Sequence, residues 1–196
     1  MKLKYLLSIA FITLFFSCST DNDNDSSEVN EIEGLALIQT ITNGNQTIEL
    51  YNEKGLFETG YNNISIRLKD NTTENYFEDA TLSWIPMMDM TTMQHSCPKS
   101  AIIKATGKDT VYEGFIIYQM TNTDGSGWSL TLNYSIDGND YSVTETINVT
   151  QFENQNTASF MGSDSSRYIV ALIEPKDPSF QSSFSTFWIN VEDVPI

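Results

Sequence analysis

The chain has 196 residues, a formal net charge of −16, one histidine and two cysteines. A surface this acidic repels nucleic acid and anionic headgroups, which argues against DNA or RNA as a partner. The length suits one or two small domains.

The first residues set the compartment. Lys2 and Lys4 precede LLSIAFITLFF, an apolar run too short to span a bilayer, so it reads as a targeting segment. It ends at Ser17-Cys18, with Leu14 and Ser17 suiting a lipobox. Residues 1–17 thus resemble a bacterial lipoprotein signal, with Cys18 as the lipidated first mature residue. An ordinary secretory signal is the alternative. Without Lys2 and Lys4 the formal charge becomes −18. The expected location is the cell envelope, lipid-anchored at the outer membrane and facing the periplasm or the cell surface. Residues 18–34 are polar and acidic with little to bury, and read as a disordered tether.

β patterning follows. LALIQTIT and TIELY flank Asn43-Gly44-Asn45, a hairpin signal. ISIRL alternates strictly over 64–68, and further strands are read in ATLSWI, up to Pro86, and in YEGFIIYQM, ending at Met120. WSLTLNYSI runs from Trp128 to Ile136, and YSVTETINV follows the turn at residues 137–140. No amphipathic helix is present in the pattern. The fold class is all-β: an immunoglobulin-like antiparallel β-sandwich over residues 35–151, with a short extra β segment at the C-terminus. Residues 152–167 read as a linker. In 168–196 the strand pattern restarts. Phe57, Tyr61, Ile64, Ile66, Leu68 and Asp70 align with Phe180, Phe184, Phe187, Ile189, Val191 and Asp193. The tail is therefore a partial second repeat or a pair of completing strands. Trp84, Trp128 and Tyr112 read as core, and Gly114 and Gly127 as tight packing or turn positions.

One segment stands apart. Met87, Met88, Met90 and Met93 lie within seven residues, followed by the sole histidine, His95, and by Cys97. Pro86 and Pro98 bound the stretch, which predicts that it leaves the sheet at Pro86 as a loop. Methionine is most often a core gap-filler. Here, however, Met87 and Met88 are adjacent, and Asp89, Thr91, Thr92 and Gln94 intervene, which is not the pattern of one buried face. Thioether, thiolate and imidazole ligands suit Cu(I). Zinc would need more histidine, cysteine or carboxylate, calcium would need oxygen ligands, and blue copper would need a second histidine. With Cys18 acylated, Cys97 has no disulfide partner in the chain.

The order WIPMMDM…MQH, then YEGFIIYQM, then GWSLTL resembles the YtkA-like and FixH-like domains over about residues 56–135. These are immunoglobulin-like domains of bacterial envelope proteins. The resemblance implies copper handling or oxidase assembly, with Met87, Met88, Met90, Met93 and His95 as ligands and Met120 as a further one. Cys97 in HSCP departs from that pattern and adds a thiolate, and a lipid anchor replaces the membrane span of the FixH type.

No enzyme constellation emerges from one histidine without a placed acid or oxyanion site. The expected role is non-catalytic Cu(I) buffering or transfer to a protein partner. The rival is an adhesion or interaction module whose methionine loop is an apolar contact patch. A thiol redox partner using Cys97 is a third reading.

Overall fold

The computed structural model describes residues 30–153, 156–173 and, by backbone alone, 185–191. The signal at 1–17, Cys18, the tether up to residue 29 and the rest of the tail lie outside the described residues. The described chain is all-β. Its strands are β1 (Ala36–Asn43), β2 (Gln46–Asn52), β3 (Phe57–Glu58), β4 (Gly60–Asp70), β5 (Ala80–Asp89), β6 (Gln94–His95) and β7 (Ile103–Lys104). There follow β8 (Tyr112–Tyr118), β9 (Gly127–Ile136), β10 (Asn139–Ile147), β11 (Val149–Thr150), β12 (Thr157–Met161), β13 (Arg167–Ile173) and β14 (Ser185–Val191). No helix among the described residues is long and apolar enough to cross a membrane.

Two antiparallel sheets, ordered β1-β2-β4-β8-β7 and β10-β9-β5-β6, form a sandwich. Side-chain alternation decides which face goes in. Along β9, Trp128, Leu130, Leu132, Tyr134 and Ile136 are buried and the residues between them are not. Leu82, Trp84 and Met88 of β5 face the same way. They meet Ile48, Leu50, Ile64, Ile66, Leu68, Ile116 and Tyr118 from the other sheet in one continuous core. The Asn43-Gly44-Asn45 signal closes the β1–β2 hairpin, with Asn43 paired to Gln46 and Gly44 at φ +60°. A short parallel pair, β3 with β11, ties the two halves of the chain together.

The segment read as the end of the tether is ordered against the sandwich. Residues 31–34 form a turn. The Glu31 carboxylate accepts hydrogen bonds from the backbone amides of Asp109 and Thr110 and from the Thr110 hydroxyl. The acidic composition concealed this, because a carboxylate that caps backbone amides looks like any other surface acid in sequence.

The linker expectation for 152–167 also needs correction. Thr157–Met161 is an edge strand, largely exposed and therefore polar enough to pass for a connector. With β13 and β14 it forms a separate antiparallel sheet in the order β12-β13-β14. These strands do not complete either sheet of the sandwich. At the offset of 123, β14 falls on residues 62–68 of β4, and β12 and β13 overlap β1 and β2. The hydrogen-bonded order β1-β2-β4 is thus repeated. The tail sheet rests on the outer face of β4 and β8, where Ile169 and Ala171 bury Ile117 beside Tyr61 and Phe115. Asn156 Nδ2 donates to the Thr59 carbonyl at 2.7 Å. It lies against Gly60, whose φ of +103° and close neighbour leave no room for a side chain.

Two tests follow from the packing. A Cβ on Gly114 would come within 2.8 Å of Trp84 Cζ2 and 2.9 Å of Ser100 Oγ. The indole is held there by its Nε1 donating to the Ser100 carbonyl at 2.9 Å. Gly114→Ala is therefore expected to cost about 1–3 kcal/mol, seen as a lower urea midpoint at unchanged slope. A midpoint equal to the parent's would refute this tight contact. A chain ending at Gln151 should keep both sheets but bare Ile117, Tyr61 and Phe115. It should bind a hydrophobic dye that the parent does not, and dye binding equal to the parent's would mean that the tail does not cover this face.

Candidate metal centre at the methionine turn

β5 does not stop at Pro86. It continues through Met87 and Met88 to Asp89, paired with β9 along all ten residues. Proline is tolerated because β6 pairs with β5 only at Met88 and Asp89, so the other edge is open at Pro86. There the Pro86 carbonyl accepts a hydrogen bond from Ser96 Oγ at 2.7 Å.

Running three residues further as a strand splits the methionines by face. Met88 is 1 % exposed and belongs to the core. Met87, its neighbour, points to the opposite face of the sheet and is half-buried. The chain then turns through Met90–Met93, closed by the Met90 amide donating to the Met93 carbonyl at 2.9 Å. Met90 and Met93 are 36 % and 53 % exposed. Thr91 Oγ1 reaches the Gly125 carbonyl of the neighbouring turn at 3.4 Å. The expectation of one loop presenting four methionines is therefore corrected. Two are at the turn, one is under it, and one is on the outer sheet face.

β6 returns the chain so that His95 stands directly opposite Met88, and partners in an antiparallel pair share a face. On its other side Met88 pairs with Trp128. The His95 and Trp128 rings meet edge to face at 5.8 Å. Trp128 in turn contacts Tyr118 at 4.9 Å, and Tyr118 contacts Phe57 at 5.7 Å, giving a row of rings that crosses the core. Trp128 Nε1 donates to the Met120 carbonyl at 2.8 Å, which fixes Met120 at the margin of the same cluster, where its side chain is half-buried.

Cys97 follows two residues after His95 and is buried in the core without a disulfide. Burial pushes its thiol well above the ordinary range, with Lys99 acting weakly the other way. The thiol thus stays protonated at neutral pH. Tyr118 is also fully buried, and its hydroxyl has no hydrogen-bond partner. An unmade bond of that kind costs about 1–3 kcal/mol. Burial, and secondarily Cys97, hold its proton on.

The donor set can be tested against Cu(I). Among the described residues, no three His, Cys, Asp or Glu side chains come together as a hard or borderline metal site. A metal at this end would rest on methionine sulfur, with His95 beside Met88 and Met90 and Met93 on the turn that joins them. That is soft-ligand chemistry. Met87 is turned away from this group, and Cys97 could join only by releasing a proton from a buried site. A redox role for Cys97 finds the same obstacle, because the thiolate is the reactive form. Sequence reasoning missed Tyr118, since nothing in YEGFIIY marks one tyrosine as unpaired.

Native protein is expected to leave Cys97 unmodified by an aromatic disulfide at about pH 8, and to react only once unfolded. Rapid labelling of the folded protein would show that the thiol is accessible. Compared with protein-family models, with curated proteins and with solved structures, the chain matches none, so its likeness to the YtkA-like and FixH-like domains rests on the quoted motifs alone.

Proposed function

We propose that the protein is a non-catalytic, lipid-anchored Cu(I)-binding protein of the cell envelope, built on an immunoglobulin-like sandwich. It buffers the metal or passes it to a protein partner. One observation carries the reading: the β5–β6 register sets His95 opposite Met88, and the turn between them consists of Met90, two threonines and Met93. Met90, Met93 and His95 are the ligands within reach of solvent, and Met88 lies beneath them. Three or four ligands are enough for this ion.

Methionine sulfur carries no proton to lose, so a thioether site holds Cu(I) as the pH falls to about 5, whereas a thiolate site weakens steeply over that range. Met90→Leu/Met93→Leu keeps size and apolarity while removing the sulfur. This double variant is expected to stay folded and to lose Cu(I) at least about tenfold to a chromophoric chelator, or about 1.4 kcal/mol. Met87→Leu, on the far face of the sheet, should bind like the parent. If the double variant keeps parental affinity, the metal reading fails. The exposure of Met90 and Met93 then favours an apolar contact patch, which leucine would preserve.

A further inference from the structure

The chain enters the sandwich at one end and displays its methionines at the other. Glu31 is bound at Asp109 and Thr110, immediately before β8. The Thr110 hydroxyl also accepts from Arg67 Nε at 3.1 Å, near the end of β4. Tyr112, the first residue of β8, receives the Ala80 amide on its hydroxyl at 2.8 Å, which puts the start of β5 at this same end. From Ala80, β5 runs ten residues to Asp89, about 30 Å at the usual rise per residue. β8 runs the same way and ends at Tyr118, whose ring meets Trp128, the partner of Met88. The attachment of Glu31 and the methionine turn are therefore at opposite ends of the sandwich.

The point of attachment matters because the connecting chain is short. The twelve residues from Ser19 to Asn30 span at most about 40 Å when fully extended. That is close to the length of the domain itself, so the end to which the tether is fastened decides which end faces the bilayer. After Glu31, the next hydrogen bonds that tie the described chain to the sandwich are those of β1, whose first residue, Ala36, pairs with Asn52 toward the methionine end.

We infer that Glu31 is a clasp which fastens the tether at the end of the sandwich opposite the methionine turn, so that the turn is held away from the anchoring membrane. It then meets a protein partner from the aqueous side and not the bilayer that holds the anchor. The inference rests on the proposed lipidation of Cys18 and is independent of copper. The clasp works as a carboxylate. Desolvation raises the Glu31 pKa, but the Thr110 hydroxyl and the amides of Asp109 and Thr110 outweigh it and hold it below the ordinary 4.5. A depressed folded-state value means that the clasp is complete above the ordinary carboxyl value and is lost only as the pH falls through the lowered one.

The test uses full-length lipidated protein in phosphatidylethanolamine–phosphatidylglycerol vesicles that carry an acceptor dye on the lipid. Because Cys97 is buried, a donor dye can be placed selectively at Thr92→Cys in the methionine turn or at Asn139→Cys in the β9–β10 turn at the clasp end. Energy transfer to the bilayer at neutral pH should be strong from position 139 and weak from 92. Glu31→Gln should reduce that difference, as should acidifying the parent well below the ordinary carboxyl range, because the Glu31 value is depressed. Equal transfer from both positions in the parent, or stronger transfer from 92, would overturn the inference. So would a difference that Glu31→Gln leaves unchanged, since the orientation would then have another cause. Failure of Cys18→Ser to release the protein from vesicles on flotation would remove the lipid anchor on which the orientation depends. Loss of the copper reading would leave the transfer measurement unaffected.

Discussion

The ten-residue register between β5 and β9 is the constraint on which the rest of the structure depends. It places Met88 against Trp128 and carries the strand three residues past Pro86, to Asp89. Every feature of the methionine end follows from that extension. The turn begins at Met90, β6 folds back onto Asp89 and Met88, and His95 arrives on the inner face beside the Trp128 ring. Trp128 is fully buried and its one polar atom is satisfied by the Met120 carbonyl, so it holds this end rigidly at little electrostatic cost.

A cluster of like residues in sequence becomes three environments in space. Met88 is core material, and its truncation to alanine would open a cavity worth about 2–5 kcal/mol. Met87 covers the outer face of the sheet. Only Met90 and Met93 combine exposure with a place on the turn that leads into His95. A soft cation would therefore draw on a mixed set, part on the turn and part beneath it. The buried thiol of Cys97 and the unpaired Tyr118 hydroxyl lie below that set, in a core that otherwise leaves no side-chain donor or acceptor unsatisfied among the described residues. The polar cost is thus concentrated at the end where the metal is proposed to sit.

The two ends of the sandwich differ in chemistry. At one, Glu31, Thr110 and Arg67 form a charged network, and Arg67 also lies over the Tyr76 ring at 3.3 Å. At the other are sulfur, imidazole and aromatic rings. The tail sheet packs on a face of the sandwich, and Asn156 ties it to Thr59, just before β4. It covers the outer face of β4 and β8, where Tyr61 and Phe115 would otherwise leave an apolar patch open to water.

The sequence by itself determined the all-β class, the alternation that sets the faces of β4 and β9, the first hairpin turn, and Trp84, Trp128 and Tyr112 as core. These are properties of alternation and turn chemistry, which act over a few residues. It also made the methionine segment conspicuous by composition. It did not determine how that segment is divided, because proline reads as a strand breaker wherever it stands. Whether Pro86 ends β5 depends on whether its missing amide faces a neighbour, and only the arrangement of β6 and β9 settles that. The Glu31 clasp and the unpaired Tyr118 hydroxyl are likewise tertiary facts. Each depends on groups tens of residues away, and no local pattern records whether a carboxylate meets an amide or a hydroxyl meets nothing.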